Sequence, residues 1–350
     1  MKENPENSLP NTQVELYKSF SPKTVDPDSF EILTGRGNIP LAQAVGKLLG
    51  KIPDQPCSDF GDGETDVKIK PNLRGREVFV LQSMYPSQND RIQEIIFMAD
   101  ASKRADAQEI TAIIPYYAYA RQDRKPKPRT PISASRVAKQ IVGAGVDRIF
   151  TIDIHAEQSQ GSIDQAWDNV YSGKLIIELI KRLNLENAVV LAADIGSVKR
   201  SEGFSARLNN GGADIAIVHK KRDVNLHDKS DAITLIGEVK NRPVILYDDL
   251  ISTGKTLLDA AKLAKQNGAT QVIAAAVHGI FVPDKDGRTL PEKLKDQNCP
   301  IDGLIITDTI VQKENVLINE KIKIASVAPI LAVAILCYLT HNSISKRLID

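Results

Sequence analysis

Val244-Ile245-Leu246-Tyr247-Asp248-Asp249-Leu250-Ile251-Ser252-Thr253-Gly254-Lys255-Thr256 is the stretch on which the reading of this chain turns. The apolar residues 244–247 predict a buried strand that runs straight into two carboxylates. A short turn carrying hydroxyls and a glycine then opens a helix over 255–267. Leu257, Ala261 and Ala264 lie on one stripe of that helix, and Gly268 stops it. The N-terminus of such a helix presents unpaired N–H groups and the positive end of the helix dipole, which suits a phosphate. Ser252, Thr253 and Thr256 add hydroxyl donors, and Gly254 lets the backbone approach closely. Without the acid pair before it, the turn would read as a plain capped helix start with Ser252 or Thr253 as N-cap; the two aspartates favour a ligand loop instead. The two aspartates would repel a phosphate. They suit sugar hydroxyls or a hydrated Mg²⁺. Gly254-Lys255-Thr256 imitates the end of a Walker loop, but that motif needs glycine where Asp249 stands.

Outward from this stretch, short β-branched runs alternate with helical patterns. Strands are predicted over 77–81, 109–114, 148–154, 188–192, 215–218, 244–247, 271–277 and 304–307. Most are continuous apolar runs, as in strands covered on both faces. The alternation predicts an α/β fold with two largely parallel sheets, one on each side of about residue 170. In such sheets ligands sit at the carboxyl ends of the strands. Residues 1–28 are polar and rich in Asn, Pro and Ser, which predicts a poorly ordered extension without the apolar core of a signal peptide. The apolar run 324–339 falls short of the ~20 residues that span a bilayer, and Pro329 lies within it. It reads as a buried helix with proline in its first turn.

With 45 Lys and Arg against 44 Asp and Glu, the net charge of +1 excludes a wholly basic nucleic-acid binder and an acidic disordered chain. Any anion site is therefore local. Cys57, Cys299 and Cys337 lie far apart with no C-x-x-C pair, against a zinc ribbon or a disulfide framework and in keeping with a reducing cytoplasm. The segment PYYAYARQDRK (115–125) follows a predicted strand, and Pro126, Pro128 and Pro131 keep helix out of the residues after it. A basic loop at a strand's carboxyl end fits a polyphosphate clamp.

Several motifs stand in one order along the chain: FGDGE (60–64), PYYAYARQDRK (115–125), TIDIHAEQSQG (151–161), VHKKR (218–222), DDLISTGKT (248–256) and SVAPILAVAI (326–335). In order and spacing they resemble the ribose-phosphate pyrophosphokinase family, from about Ser29 to the C-terminus. The resemblance implies two phosphoribosyltransferase-like domains, each a mainly parallel sheet flanked by helices. The first would cover 29–170, with a C-terminal helix, 327–345, packing back on it. The second would cover 171–326 and carry the ribose 5-phosphate loop. The implied reaction transfers the pyrophosphoryl group of ATP to the 1-hydroxyl of ribose 5-phosphate, giving phosphoribosyl pyrophosphate and AMP. Catalysis of this kind is mostly positioning and charge neutralisation.

Residue by residue, the resemblance implies that Phe60 stacks on adenine, and that Asp62, Gly63, Glu64, Arg121, Gln122, Asp123 and His155 line the ATP site. His155 and Asp194 would hold Mg²⁺. Lys220 and Arg222 would be the catalytic pair that neutralises charge on the transferring group. Asp248, Asp249, Ser252, Thr253, Gly254, Lys255 and Thr256, with Arg222, would bind ribose 5-phosphate. The family shares ATP sites between subunits, which implies a cytoplasmic homo-oligomer with no nucleic-acid or membrane partner.

The chain also departs from the family pattern. It has S-T-G-K-T where many members have D-T-x-G-T, so Ser252 loses a charge and Lys255 gains one. After Asp194 it has Ile195-Gly196-Ser197, with one glycine where a pair is usual, and after Gly161 it has Ser162-Ile163 in place of two aromatics. Residues 282–300 are longer than usual. Arg74 matches a regulatory phosphate-site position, but its usual serine neighbour is replaced by Asn72. Two other readings follow: a non-catalytic regulatory relative, which would tend to lose the Lys/Arg pair or the phosphoribosyl loop, and a phosphoribosyltransferase, which would lack RQDRK and FGDGE.

Overall fold

A computed structural model describes residues 25–208, 212–221 and 232–349. These residues form two mainly parallel sheets and one short hairpin. They divide into two compact units. One holds the described residues up to Ser172 together with Asp308–Val311 and those from Ser326 onward; the other holds Gly173–Thr307 and Gln312–Ala325.

In the first unit, β1 (Phe30–Thr34), β4 (Glu77–Leu81), β5 (Glu109–Ile114), β6 (Arg148–Ile152) and β7 (Ala166–Val170) lie in that order, every neighbour parallel. Their centres are fully buried because helices cover both faces of a parallel sheet. The crossovers include α1 (Ile39–Leu49), α2 (Gln88–Arg104) and α3 (Ser133–Gly143). The hairpin of β2 (Cys57–Asp59) and β3 (Thr65–Val67) stands apart from the sheet.

In the second unit the order is β10 (Ala232–Ile236), β9 (Asp214–Lys221), β8 (Val189–Ala192), β11 (Pro243–Ile251), β12 (Gln271–Gly279), β13 (Gly303–Thr307) and β14 (Ile322–Ala325). Only β10 runs antiparallel to its neighbour among the described residues. The helices α4 (Gly173–Lys181), α5 (Val198–Leu208) and α6 (Lys255–Gln266) belong to this unit. α6 buries Leu257, Ala260, Ala261 and Ala264, the spacing of one helical face, and ends before Gly268 at φ 88°.

The apolar run near the C-terminus is α7 (Ala328–Leu339), with Pro329 in its first turn. It is buried on every side from Ala328 to Tyr338 and packs against α1 within the first unit, so its apolar surface faces protein. No helix among the described residues is long and apolar enough to cross a membrane. The regular helix ends at Leu339, short of the 345 expected from sequence, because Thr340 already departs from helical geometry.

Two local expectations need correction, and the plain capped-helix alternative for the turn is absent. β11 does not stop at Tyr247. It carries Asp248 and Asp249 as strand residues through to Ile251, because Asp248 and Leu250 still pair with Ala276 and His278 of β12. Neither Ser252 nor Thr253 caps α6. Gly254 holds the cap position at φ 76°, a left-handed geometry that glycine adopts without cost, and no side chain caps the helix. The strand expected over 148–154 ends at Ile152, where Asp153 turns left-handed at φ 43°.

Candidate active site

From β8 the chain steps outward to β9 and β10, then returns to place β11 on the other side of β8. The strand order therefore reverses between β8 and β11, and a parallel sheet opens its ligand crevice at the carboxyl ends of such a pair. Leu191 pairs with Leu246, which puts Asp194 and Asp249 three residues beyond one register pair on adjacent strands. The sequence motif thus lies at the position the topology reserves for a ligand.

Asp249 is 4% exposed, and Asp248 is half-buried beside it. Two neighbouring carboxylates in one place repel, and burial disfavours their charge. Arg200 of α5 meets both, its Nη1 lying 2.5 Å from Asp248 Oδ1 and 2.8 Å from Asp249 Oδ1. Burial first, then the Asp249 charge, push the Asp248 carboxyl up to about 7, with Arg200 opposing the rise. Arg200 escapes sequence reading because 48 residues separate it from Asp248. Its signal was the Lys199-Arg200 pair that opens the helix after Asp194.

Asp194 caps the turn that leads into α5. Its Oδ1 accepts from Ser197 N at 2.9 Å, and Ser197 Oγ donates to the Asp194 carbonyl at 2.9 Å. Ser197, one of the departures from the family pattern, completes this cap. Among the described residues no three His, Cys, Asp or Glu side chains form a metal cage. Mg²⁺ seldom uses one, preferring one or two carboxylates plus substrate phosphate and water. An exposed carboxylate at a strand's carboxyl end fits that preference.

The turn after β11 is shaped from behind. A Cβ on Gly254 would lie 2.9 Å from Leu290 Cδ2 and 3.0 Å from its Cβ. Leu290 is fully buried and starts a one-turn helix, Leu290–Lys293, within the segment 282–300. Val282 N donates to the Ser252 carbonyl at 3.1 Å. Thr253 Oγ1 accepts from Lys255 N at 3.3 Å, while the Lys255 side chain is exposed.

In the first unit, PYYAYARQDRK follows β5. Tyr116 and Tyr117 are buried, and Tyr117 donates to the Ala134 carbonyl at 2.9 Å, whereas Arg121, Gln122, Arg124 and Lys125 are exposed. The aromatic half of the motif is core and the basic half is surface. The Gln122 side chain accepts from Ser133 Oγ at 2.7 Å, and Asp123 accepts from Gln158. That second contact joins this loop to the one after β6. There the Asp153 carboxylate accepts from Ser172 N and Oγ, both at 2.7 Å, and His155 follows exposed.

FGDGE forms the loop of the β2–β3 hairpin, not a strand end of the sheet. Phe60 N donates to the Glu64 carbonyl at 2.8 Å, Gly63 N returns to the Phe60 carbonyl at 2.9 Å, and Asp62 Oδ1 accepts from Glu64 N at 3.2 Å. The Phe60 ring is 55% exposed, so it is no core aromatic. Arg36, in Gly35-Arg36-Gly37 after β1, fastens the hairpin base. Its guanidinium meets Asp59, holding that carboxyl below the usual range, and its Nε lies 2.5 Å from fully buried Glu94 of α2. Arg91 shares Glu94 at 2.6 Å. A Cβ on Gly37 would collide with the Ser83 carbonyl, so the backbone passes close to the end of β4. Sequence reading missed Arg36.

The structure thus gathers Asp194, Asp248, Asp249 and the 252–256 turn at one sheet edge, and the loops after β5 and β6 at another. It places 60–64 on a separate hairpin. Lys220 lies in β9 opposite Ile233 in backbone register, with its side chain outside what is described, and Arg222 lies outside the described residues.

Comparison with known proteins identifies the family. The family model for the N-terminal domain of ribose phosphate pyrophosphokinase matches residues 30–145. The model for the phosphoribosyl synthetase-associated domain matches residues 224–348. Ribose-phosphate pyrophosphokinase of Thermotoga maritima is 38% identical over 322 residues, covering 91% of this chain and 98% of that protein. The chain belongs to the ribose-phosphate pyrophosphokinase family. Another member, from Caldanaerobacter subterraneus, is 41% identical over 321 residues, with 91% and 98% coverage. The crystal structure of phosphoribosylpyrophosphate synthetase from Mycobacterium smegmatis superposes with a TM-score of 0.81 at 35% identity, covering 90% of this chain and all of that one. The family fold therefore extends through both units.

Proposed function

We propose that this chain is a ribose-phosphate diphosphokinase, moving the pyrophosphoryl group of ATP onto the 1-hydroxyl of ribose 5-phosphate. The products are phosphoribosyl pyrophosphate and AMP. The observation that carries this reading is the acid pair and the hydroxyl- and glycine-bearing turn after β11 at the reversal of the second sheet, in a chain that aligns with pyrophosphokinases over nearly its whole length. A regulatory relative has no need of an intact phosphoribosyl turn, and a phosphoribosyltransferase has no need of a first unit carrying RQDRK and FGDGE.

In this reading the N–H groups and hydroxyls of 252–256 donate to the 5-phosphate, while Asp248 and Asp249 accept from the ribose hydroxyls. Phe60 stacks on adenine, and Asp62, Gly63, Glu64, Arg121, Gln122, Asp123 and His155 receive the rest of ATP. Asp194 of the second unit and His155 of the first are the separate candidate ligands this chain offers to Mg²⁺, which when bound would supply positive charge to the phosphates. Lys220 serves as a movable charge and Arg222 as a planar fork toward the transferring group. A cytoplasmic homo-oligomer with shared ATP sites completes the proposal.

The test is the fate of the anomeric oxygen. With ribose 5-phosphate carrying ¹⁸O at C1, attack on the β-phosphorus leaves the label between C1 and phosphorus in phosphoribosyl pyrophosphate. Label appearing in AMP, or unlabelled product, contradicts the reading.

A further inference from the structure

Resting on that reading of the β11 site, we propose that Arg200 is its positioning residue: its guanidinium clamps Asp248 and Asp249 side by side so that both receive the sugar hydroxyls of ribose 5-phosphate.

Three observations converge on this role. One nitrogen, Nη1, reaches both carboxylates, at 2.5 and 2.8 Å, so a single group fixes the spacing of the pair. The helix that delivers it is anchored at both ends of the relevant turn. At its start, Asp194 and Ser197 form a reciprocal cap that sets where α5 begins. One turn beyond Arg200, Phe204 stacks on Tyr247 with ring centroids 4.0 Å apart and planes 17° apart. Residues four apart share a helix face, so Arg200 and Phe204 meet β11 together, the one at Asp248 and Asp249, the other at Tyr247. The register of α5 on β11 is thus fixed by packing, and the guanidinium arrives by consequence.

The chemistry needs such a group. A carboxylate can only accept hydrogen bonds, which is what a sugar hydroxyl offering its proton requires, whereas a protonated carboxyl spends one oxygen as a donor. Asp249 is buried and Asp248 half-buried, so burial and mutual repulsion favour a proton on the pair, and Arg200 opposes that rise while fixing their geometry. Arginine suits this task better than lysine, since its charge is permanent and its planar fork loses less freedom on binding. Arg200 acts through the aspartates and has no assigned contact with the reacting atoms.

The experiment compares Arg200→Met and Arg200→Lys with the wild-type chain, reading kcat, both KM values and calorimetric binding of ribose 5-phosphate. Arg200→Met is expected to raise KM for ribose 5-phosphate about 10- to 100-fold, the scale of breaking a partly buried ion pair. KM for ATP should change less than about twofold, because the change is confined to the sugar site. Arg200→Lys should recover part of the loss. To guard against simple misfolding, Arg200→Met is also made in an Asp248→Asn background, where less charge is left to balance. There the substitution should add little to the effect of Asp248→Asn alone. Equal rises in both KM values, unchanged binding in Arg200→Met, or full additivity in the double variant would overturn the proposal. If the wild-type chain neither binds nor turns over ribose 5-phosphate, the reading of the site fails and the proposal falls with it. If the wild type binds and Arg200→Met binds equally, only the positioning role falls.

Discussion

Replacing Gly254 by alanine puts a methyl group where the turn after β11 has least space for one. Two penalties act together. The residue sits at φ 76°, where an L side chain costs roughly 1–2 kcal/mol. The new Cβ would stand 2.9 Å from Leu290 Cδ2 and 3.0 Å from Leu290 Cβ, an overpacking that costs roughly 1–3 kcal/mol in a packed core. The lower entropy of alanine in the unfolded chain returns only about 0.4–1 kcal/mol. The sign is therefore destabilising, by about 1–4.6 kcal/mol, the reverse of Gly→Ala at a permissive site. Leu290 is fully buried, so Leu290→Ala alone should cost about 2–5 kcal/mol. In the double variant the contacts from Leu290 Cδ2 and Cγ vanish while the φ penalty stays. The two costs should therefore sum to less than their parts, with a coupling of about 1–2 kcal/mol. Urea unfolding followed by far-UV circular dichroism measures all four chains, and KM for ribose 5-phosphate in Gly254→Ala should rise with the displaced turn. A Gly254→Ala chain as stable as wild type, or costs that add within about 0.5 kcal/mol, would refute the view that Leu290 shapes this turn.

Arg36→Met unfastens the β2–β3 hairpin while Arg91 still pairs Glu94, so KM for ATP should rise about 3- to 30-fold with KM for ribose 5-phosphate unmoved; unchanged KM for ATP would detach the 60–64 loop from the nucleotide. Because the Asp248 carboxyl is pushed up to about 7, affinity for ribose 5-phosphate needs a proton removed at lower pH. KM should therefore climb as pH falls below about 7, by up to about tenfold per pH unit, and lose part of that slope in Asp248→Asn. A flat profile in the wild type would place the titration elsewhere. Lys220→Ala should abolish turnover while ATP binding, measured by calorimetry, stays nearly intact; wild-type rates in that variant would end its catalytic role.

The parts legible in sequence were those written in contiguous residues. The strands at Glu77–Leu81 and Glu109–Ile114 stand where their apolar runs put them, because a parallel strand covered on both faces needs no polar face. The β11 motif was readable for the same reason: strand, acid pair, turn and helix follow one another without a break. Strands carrying charge were missed. Phe30–Thr34 holds Glu31 within the sheet because Lys51 and Arg76 pair with it, and those partners are 20 and 45 residues away. Ala166–Val170, not among the predicted strands, closes the first sheet, with Tyr338 donating to Asp168 across 170 residues. The end of β11 was placed too early because Asp248 and Asp249 break the apolar run while continuing the backbone ladder. Arg36 carried no sequence signal and Arg200 only a weak one, because their roles depend on contacts that only the folded sheets create.

The most direct measurement is product stoichiometry with the purified full-length chain, given ATP, Mg²⁺, inorganic phosphate and ribose 5-phosphate. AMP and phosphoribosyl pyrophosphate should appear one for one, without ADP. A folded chain that binds ATP but forms neither product, or one that forms ADP and a ribose bisphosphate, would contradict the account.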